Sequence, residues 1–274
     1  MKAVIGTDLS QQSSAAVAQI GLLYHLDDVV LVHGARVEST QRYDEFRQTM
    51  REVGRQVVER CRALMPAETS SIRSMVDVQN LATFVLDSAT SVKADLVVMG
   101  TRNLSRLAEA FSGSASAHVA THSTVPTLVV KGDARPITSA LLAVQDVEDA
   151  IRLQRWMNAH PFKSPVRLTI LTVISLPHMV SEHAIVEGDV VSRQSRQRAE
   201  QVVNDAAQIV AGPHFTVSTN VLVGDPVRTI CEVGKNHDLI VVSSDGRKGL
   251  SRFLLGSVSE EVVNRADCSV LVLR

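Results

Sequence analysis

Two stretches of the 274-residue chain have a spacing that chemistry could use. In the first, Gly100-Thr101-Arg102-Asn103 is followed after nine residues by Gly113-Ser114. In the second, Ser243-Ser244-Asp245-Gly246 is followed after nine residues by Gly256-Ser257. Glycine lets a backbone approach a ligand closely and adopt positive φ. A helix entered at Gly-Ser aims free N–H groups and a partial positive charge at whatever lies in front of it, which makes a seat for phosphate. The same residues also have a plainer explanation. Ser257-Val258-Ser259-Glu260 matches a capping box, with serine at the N-cap and glutamate at N3. Ser114 has Ala117 at that place, so the helix entrance of the first stretch is freer to accept an anion.

Other chemistries find less support. The chain has neither a G-x4-G-K-[ST] loop nor a G-x-G-x-x-G after a first strand, and it lacks a G-x-S-x-G elbow. His178 and His183, with Glu182 and Glu187, resemble a solvated polar segment more than a zinc site. His33 closes an apolar run and reads as a hydrogen-bonded rim residue, and His118 and His122 read as scattered. Cys61, Cys231 and Cys268 are odd in number and far apart, which argues for small apolar side chains in a reducing cytoplasm rather than a disulfide framework. A formal charge of −1 excludes the electrostatic footprint of a nucleic-acid binder. No apolar run reaches the roughly 18 residues of a membrane helix. The segments Arg42–Arg62 and Arg193–Asp205 mix signs, as the wet faces of helices do.

The elements that must hold these stretches come in two sets. Residues 95–130 laid over 238–273, a shift of 143, give ten identities in 36 positions without a gap. The chain therefore reads as a tandem duplication joined at the breakers of "KGDARP", with domains over 1–132 and 137–274. In the first half, strands are expected at 3–6, 29–34, 71–78, 95–100 and 127–131, with helices over 10–24, 44–64, 81–92 and 115–121. In the second, strands are expected at 140–144, 167–173, 216–223, 238–243 and 269–273, with helices ending through Trp156, over 189–210, from Pro226 and from Val258. Strands without alternation, such as "VVLVHG", belong in parallel sheets covered on both faces. Alternation of strands with helices of this length predicts two doubly wound α/β domains, each with a five-stranded parallel core. Ligands of such sheets lie beyond the carboxyl ends of the strands, where both glycine stretches fall.

Both stretches resemble the G-x2-G-x9-G-[ST] signature of the universal stress protein family, and "GRKGLSRFLLGSVSEEV", "IGTDLS" and "LVGDP" are similar to its usual wording. The resemblance implies a cytoplasmic stress-response protein that binds an adenine nucleotide, ATP with or without Mg2+, as a regulatory ligand. A nucleotide-free interaction protein and a slow ATPase are the alternatives. The resemblance assigns phosphates and ribose to Val242, Ser243, Gly246, Gly256, Ser257 and Val258 in the second half. Met99, Gly100, Asn103, Gly113 and Ser114 are their counterparts in the first. It assigns the nucleoside end to Asp146 and Val173, and to Asp8 and Gly34. Asn103 replaces the second glycine of the first half and Ser243 the first glycine of the second, so neither half keeps the whole signature. The family also implies that the last strands pair, "TLVVK" against "SVLVL", making an internal pseudo-dimer; association of two chains and a protein partner remain open.

Overall fold

The computed structural model describes residues 1–8, 10–35, 44–101, 114–175, 184–244 and 255–274. The first half runs β1 (Lys2–Thr7), α1 (Gln11–Leu23), β2 (Asp28–Gly34), α2 (Asp44–Arg62), β3 (Ser71–Asp77), α3 (Leu81–Val92), β4 (Leu96–Thr101), α4 (Ser114–His122) and β5 (Thr127–Lys131). The second repeats the plan with β6 (Ser139–Ala143), α5 (Val147–Ala159), β7 (Val166–Ile174), α6 (Ala184–Val210), β8 (Phe215–Val223), α7 (Pro226–Gly234), β9 (Leu239–Ser243), α8 (Ser257–Arg265) and β10 (Ser269–Leu273). Side-chain caps set several helix starts. Ser10 Oγ accepts from Ser13 N, Asn80 from Ala82 N and Thr83 N, and Asp225 from Arg228 N with Pro226 in the first turn.

All ten strands share one sheet, in the order β3-β2-β1-β4-β5-β10-β9-β6-β7-β8. Pairing is parallel within each half, and the halves meet through an antiparallel ladder between β5 and β10, as the family resemblance implies. Leu128 faces Leu271, its own copy at the shift of 143, so a local dyad passes through that pair. The central strands β4, β5, β9 and β10 are buried along their apolar runs, whereas the edge strands β3 and β8 are half-exposed.

The two faces of the sheet are organised differently. On one, α1, α2, α5 and α6 bury a single core continuous across both halves, from Ile5 and Leu31 to Leu142 and Ile170. Its join is aromatic: Trp156 meets Tyr24 edge-on at 6.1 Å and donates its indole N–H to the Tyr24 hydroxyl at 2.9 Å, and Phe162 packs on Tyr24 at 5.3 Å. On the other face the core divides, one part under α3 and α4 and one under α7 and α8.

Two cations cross the dyad. Lys131, at the end of β5, donates to the carbonyl of Ala266 just beyond α8 at 2.6 Å. Arg274, which follows β10, donates to the carbonyl of Ala120 in the last turns of α4. Each half therefore neutralises the negative end of the other half's last helix. Burial pulls Lys131 down to about 8 from an ordinary value of 10.5. A depressed folded value means the unfolded chain holds more protons between those limits, so this stability is fully present above 10.5 and is lost as pH falls through 8. Relative to Lys131→Met, the native protein is expected to gain up to about 3 kcal/mol between pH 7.5 and 10.5, read from urea unfolding at both values. A constant difference between the two proteins would show that the carbonyl bonds keep the amine charged.

Candidate functional site

In the second half, parallel strands leave the carboxyl ends of β6, β7 and β9 at one rim. The chain leaves β6 toward β7 on one side, while β9 lies on the other, so a crevice opens where the strand order reverses. A cavity of about 430 Å³ occupies that crevice, within the size range of small-ligand pockets. Ala143, Val144, Leu171, Pro226 and Ile230 give it an apolar inner part. Ser243 and the first turn of α8, from Gly256 through Ser259, form a polar end.

The α8 entrance differs from the capping box suggested by the sequence. Gly256 is the N-cap, in extended conformation with φ −65° and ψ 152°, and no side chain among the described residues caps the helix. Ser257 is therefore the first helical residue, and N3 is Ser259 rather than Glu260. The reason lies in β9, whose last carbonyl needs a donor: the Ser259 hydroxyl donates to Ser243 O at 2.8 Å, fastening α8 to the strand. The amides of Ser257, Val258 and Ser259 have no intrahelical acceptor, and all three residues line the cavity.

Six of the residues assigned from the sequence, Val173, Val242, Ser243, Gly256, Ser257 and Val258, surround this cavity. Val173 lies in β7 beyond the last paired residue of β6, so its main chain borders the crevice. Asp146 is not in the lining. Its carboxylate caps α5 by accepting from Glu148 N at 2.9 Å. Strand register corrects its correspondence with Asp8. Ala3 and Ala140 occupy matching places against Leu96 and Leu239, a shift of 137, which brings Asp8 level with Gln145. Counted from those matched residues, α5 begins one residue sooner than α1, which hides this in the sequence. Gln145 lines the cavity.

Among the described residues, the carboxylate that reaches the cavity is Asp149, at N3 of α5. It accepts from Gln145 N at 2.8 Å and from Arg152 at 3.1 Å. Burial pushes its carboxyl up; the Gln145 amide, the nearby Ser243 hydroxyl and Arg152 oppose that rise. Asp149 and Ser259 both escaped the sequence reading because each resembles an ordinary capping residue.

In the first half, Asp8, Gly34, Met99 and Gly100 stand at the carboxyl ends of the adjacent strands β1, β2 and β4. Their immediate neighbours belong to the protein itself. Asp8 accepts from Ser10 N at 2.7 Å and from the Ser10 hydroxyl. A Cβ on Gly34 would lie 2.8 Å from Leu81 Cα, and one on Gly100 only 2.2 Å from Gln12 O. Met99 is buried, its sulfur against Gly6. Ser114 opens α4, and Asn103, Gly113 and Gly246 lie outside the described residues. His33 is a buried rim residue that donates from Nδ1 to Thr7 O at 2.9 Å; Thr172 makes the matching bond to Val144 O in the second half.

Other readings can be compared with the described residues. No group of three or more His, Cys, Asp or Glu side chains among them could hold a metal, and His178 and His183 fall outside them. Burial pushes all three cysteine thiols up, Cys268 to about 11, as small packed side chains require. No described helix is long and apolar enough to cross a membrane.

Comparison with known proteins agrees with the duplicated plan. The model of the universal stress protein family matches residues 1–131 and again 139–274. A universal stress protein of Mycolicibacterium smegmatis is 26% identical over 212 residues, covering 74% of this chain and 69% of the relative. One of Mycobacterium tuberculosis is 28% identical over 190 residues, covering 67% of this chain and 63% of the relative. Among solved structures, a universal stress protein of Archaeoglobus fulgidus superposes with a TM-score of 0.67 at 18% identity, covering 100% of this chain and 96% of its own. A putative one of Pseudomonas aeruginosa gives 0.61 at 15% identity, with 99% and 92% covered. The chain belongs to the universal stress protein family, as a tandem member with both copies of the domain in one polypeptide.

Proposed function

We propose that this stress protein binds an adenine nucleotide, ATP with or without Mg2+, in the second half as a regulatory ligand in the cytoplasm. One observation carries the reading: the uncapped first turn of α8 faces a cavity of about 430 Å³ whose far side is apolar. The α8 amides would receive phosphate, helped by the Ser257 hydroxyl and by Gly246 of the preceding loop. The main chain of Val173 and the side chain of Gln145 would address the nucleoside. We assign the first half a poorer second site, made of Asp8, Gly34, Met99, Gly100, Asn103, Gly113 and Ser114. Gly34 and Gly100 already serve close packing, and the Asp8 carboxylate already serves its own turn.

A regulatory role is favoured over hydrolysis by the state of Asp149. This acid of the described lining is held by Gln145 N and Arg152, so it is committed to α5 rather than poised to activate water. Mass spectrometry of small molecules released from the purified, denatured protein tests the proposal. An adenine nucleotide near one per chain is the expected result, and a calorimetric titration with ATP should saturate the emptied protein. A protein that releases no nucleotide and gives no heat with ATP would instead be an interaction module with structural glycine loops. Tryptophan emission is a poor probe here, since Trp156 is bonded to Tyr24 at the join between the halves.

A further inference from the structure

One pair of potential ligands lies away from the cavity. His118 and His122 stand one turn apart on α4, both exposed. Residues at i and i+4 share a helix face. Their rings stack with centroids 4.1 Å apart and planes inclined by 23°. His122 Nδ1 donates to the His118 carbonyl at 2.9 Å. That bond selects the Nδ1–H tautomer, leaving the Nε2 lone pair available to a ligand. It is the arrangement by which metal-binding histidines are commonly oriented.

The other half emphasises how unusual the pair is. At the shift of 143, His118 and His122 correspond to Glu261 and Arg265 of α8, which form an ion pair at 2.7 Å. There the one-turn pair neutralises itself. On α4 the same two places hold two acceptor rings that offer each other no such charge partner.

We propose that His118 and His122 chelate one borderline divalent transition-metal cation of the Cu2+, Ni2+ or Zn2+ class on the outer face of α4. Imidazole suits these metals, and two histidines at i and i+4 on one helical face are a known way to hold zinc. Metal–nitrogen bonds of about 2.0–2.1 Å need the two ring nitrogens to be roughly 3 Å apart. The stacked rings hold their lone pairs side by side, so chelation requires side-chain rotations that turn a ring nitrogen of each toward a common point, while the helix backbone keeps its place. Two protein ligands leave the remaining coordination positions to water or to a group from outside, so the ion exchanges readily and is not structural.

Titration of the full chain with Cu2+ and with Ni2+ in a non-coordinating buffer tests the site, compared with His118→Ala, His122→Ala and the double variant. Both positions are exposed, and circular dichroism of the metal-free variants should match the native spectrum. The expected result is one saturable site, tighter for Cu2+ than for Ni2+. Each single substitution should weaken it by about tenfold or more, and the double variant should lose it. The electron paramagnetic resonance spectrum of the Cu2+ form should carry coupling to two nitrogens, reduced in either single variant. Native affinity in either single variant, or a tight site that survives in the double variant, would overturn the proposal.

Discussion

Gly256→Val is expected to weaken ATP binding by the second half by about a hundredfold, close to 2.8 kcal/mol, while the chain stays folded. The backbone does not require glycine at this place, because φ −65° and ψ 152° suit any residue. What the glycine supplies is an absent side chain at the mouth of the cavity, beside three amides without intrahelical acceptors. An isopropyl group there would stand in the path of an anion approaching α8. Its cost to the helix is about 1 kcal/mol, since valine is a much poorer N-cap than glycine, and that is less than a domain's usual stability. Gly256→Asp sharpens the test. Its carboxylate would cap α8 and raise stability by about 0.5–1 kcal/mol, yet it would occupy the amides and repel phosphate. Calorimetric titration with ATP, paired with thermal unfolding, reads both quantities. Native affinity in both variants would remove the α8 entrance from the binding site.

Gly100→Ala is expected to destabilise the protein by about 3 kcal/mol, although it adds one methyl group. The new Cβ would meet Gln12 O at 2.2 Å, Gln12 C at 2.5 Å and Ser13 N at 2.9 Å. These are backbone atoms of the first turn of α1, which cannot swing aside as a side chain can. Relief requires lifting α1 from β4, and α1 carries Ala16, Val17 and Ile20 into the shared core. The corresponding residue of the second half is Ser243, so that half already accommodates a side chain at this level. Ser243→Gly should accordingly change stability by less than about 1 kcal/mol. Urea unfolding of the two variants separates the cases. Native stability in Gly100→Ala would mean that α1 does not press on this position and that the glycine serves something else.

The strands were legible because the central ones are unbroken apolar runs, and because the duplication repeats them at a constant shift. The pairing of Leu128 with Leu271 follows from the same repetition once the last strands are taken to meet. Lys131 and Arg274 lie one step beyond the compared stretches 95–130 and 238–273, and extending the comparison by that step aligns two cations. Nothing local in the chain says that each reaches into the other half. At the site, Val173, Val242 and Ser243 were assigned by the family resemblance, and all three lie in the cavity lining. Asp146 was assigned by residue type, whereas strand register brings Gln145 to the level of Asp8. Ser257 and Glu260 have the spacing of a capping box, but the open carbonyl at the end of β9 is a tertiary circumstance that drew Ser259 instead.

The antiparallel ladder at the dyad points the strands of the two halves in opposite directions. The carboxyl ends of their strands consequently lie at opposite rims of one sheet. Since a single layer under α1, α2, α5 and α6 belongs to both, neither copy can be discarded even if its crevice falls idle. Such a duplication frees one rim to drift toward a new task while its body continues to prop up the other.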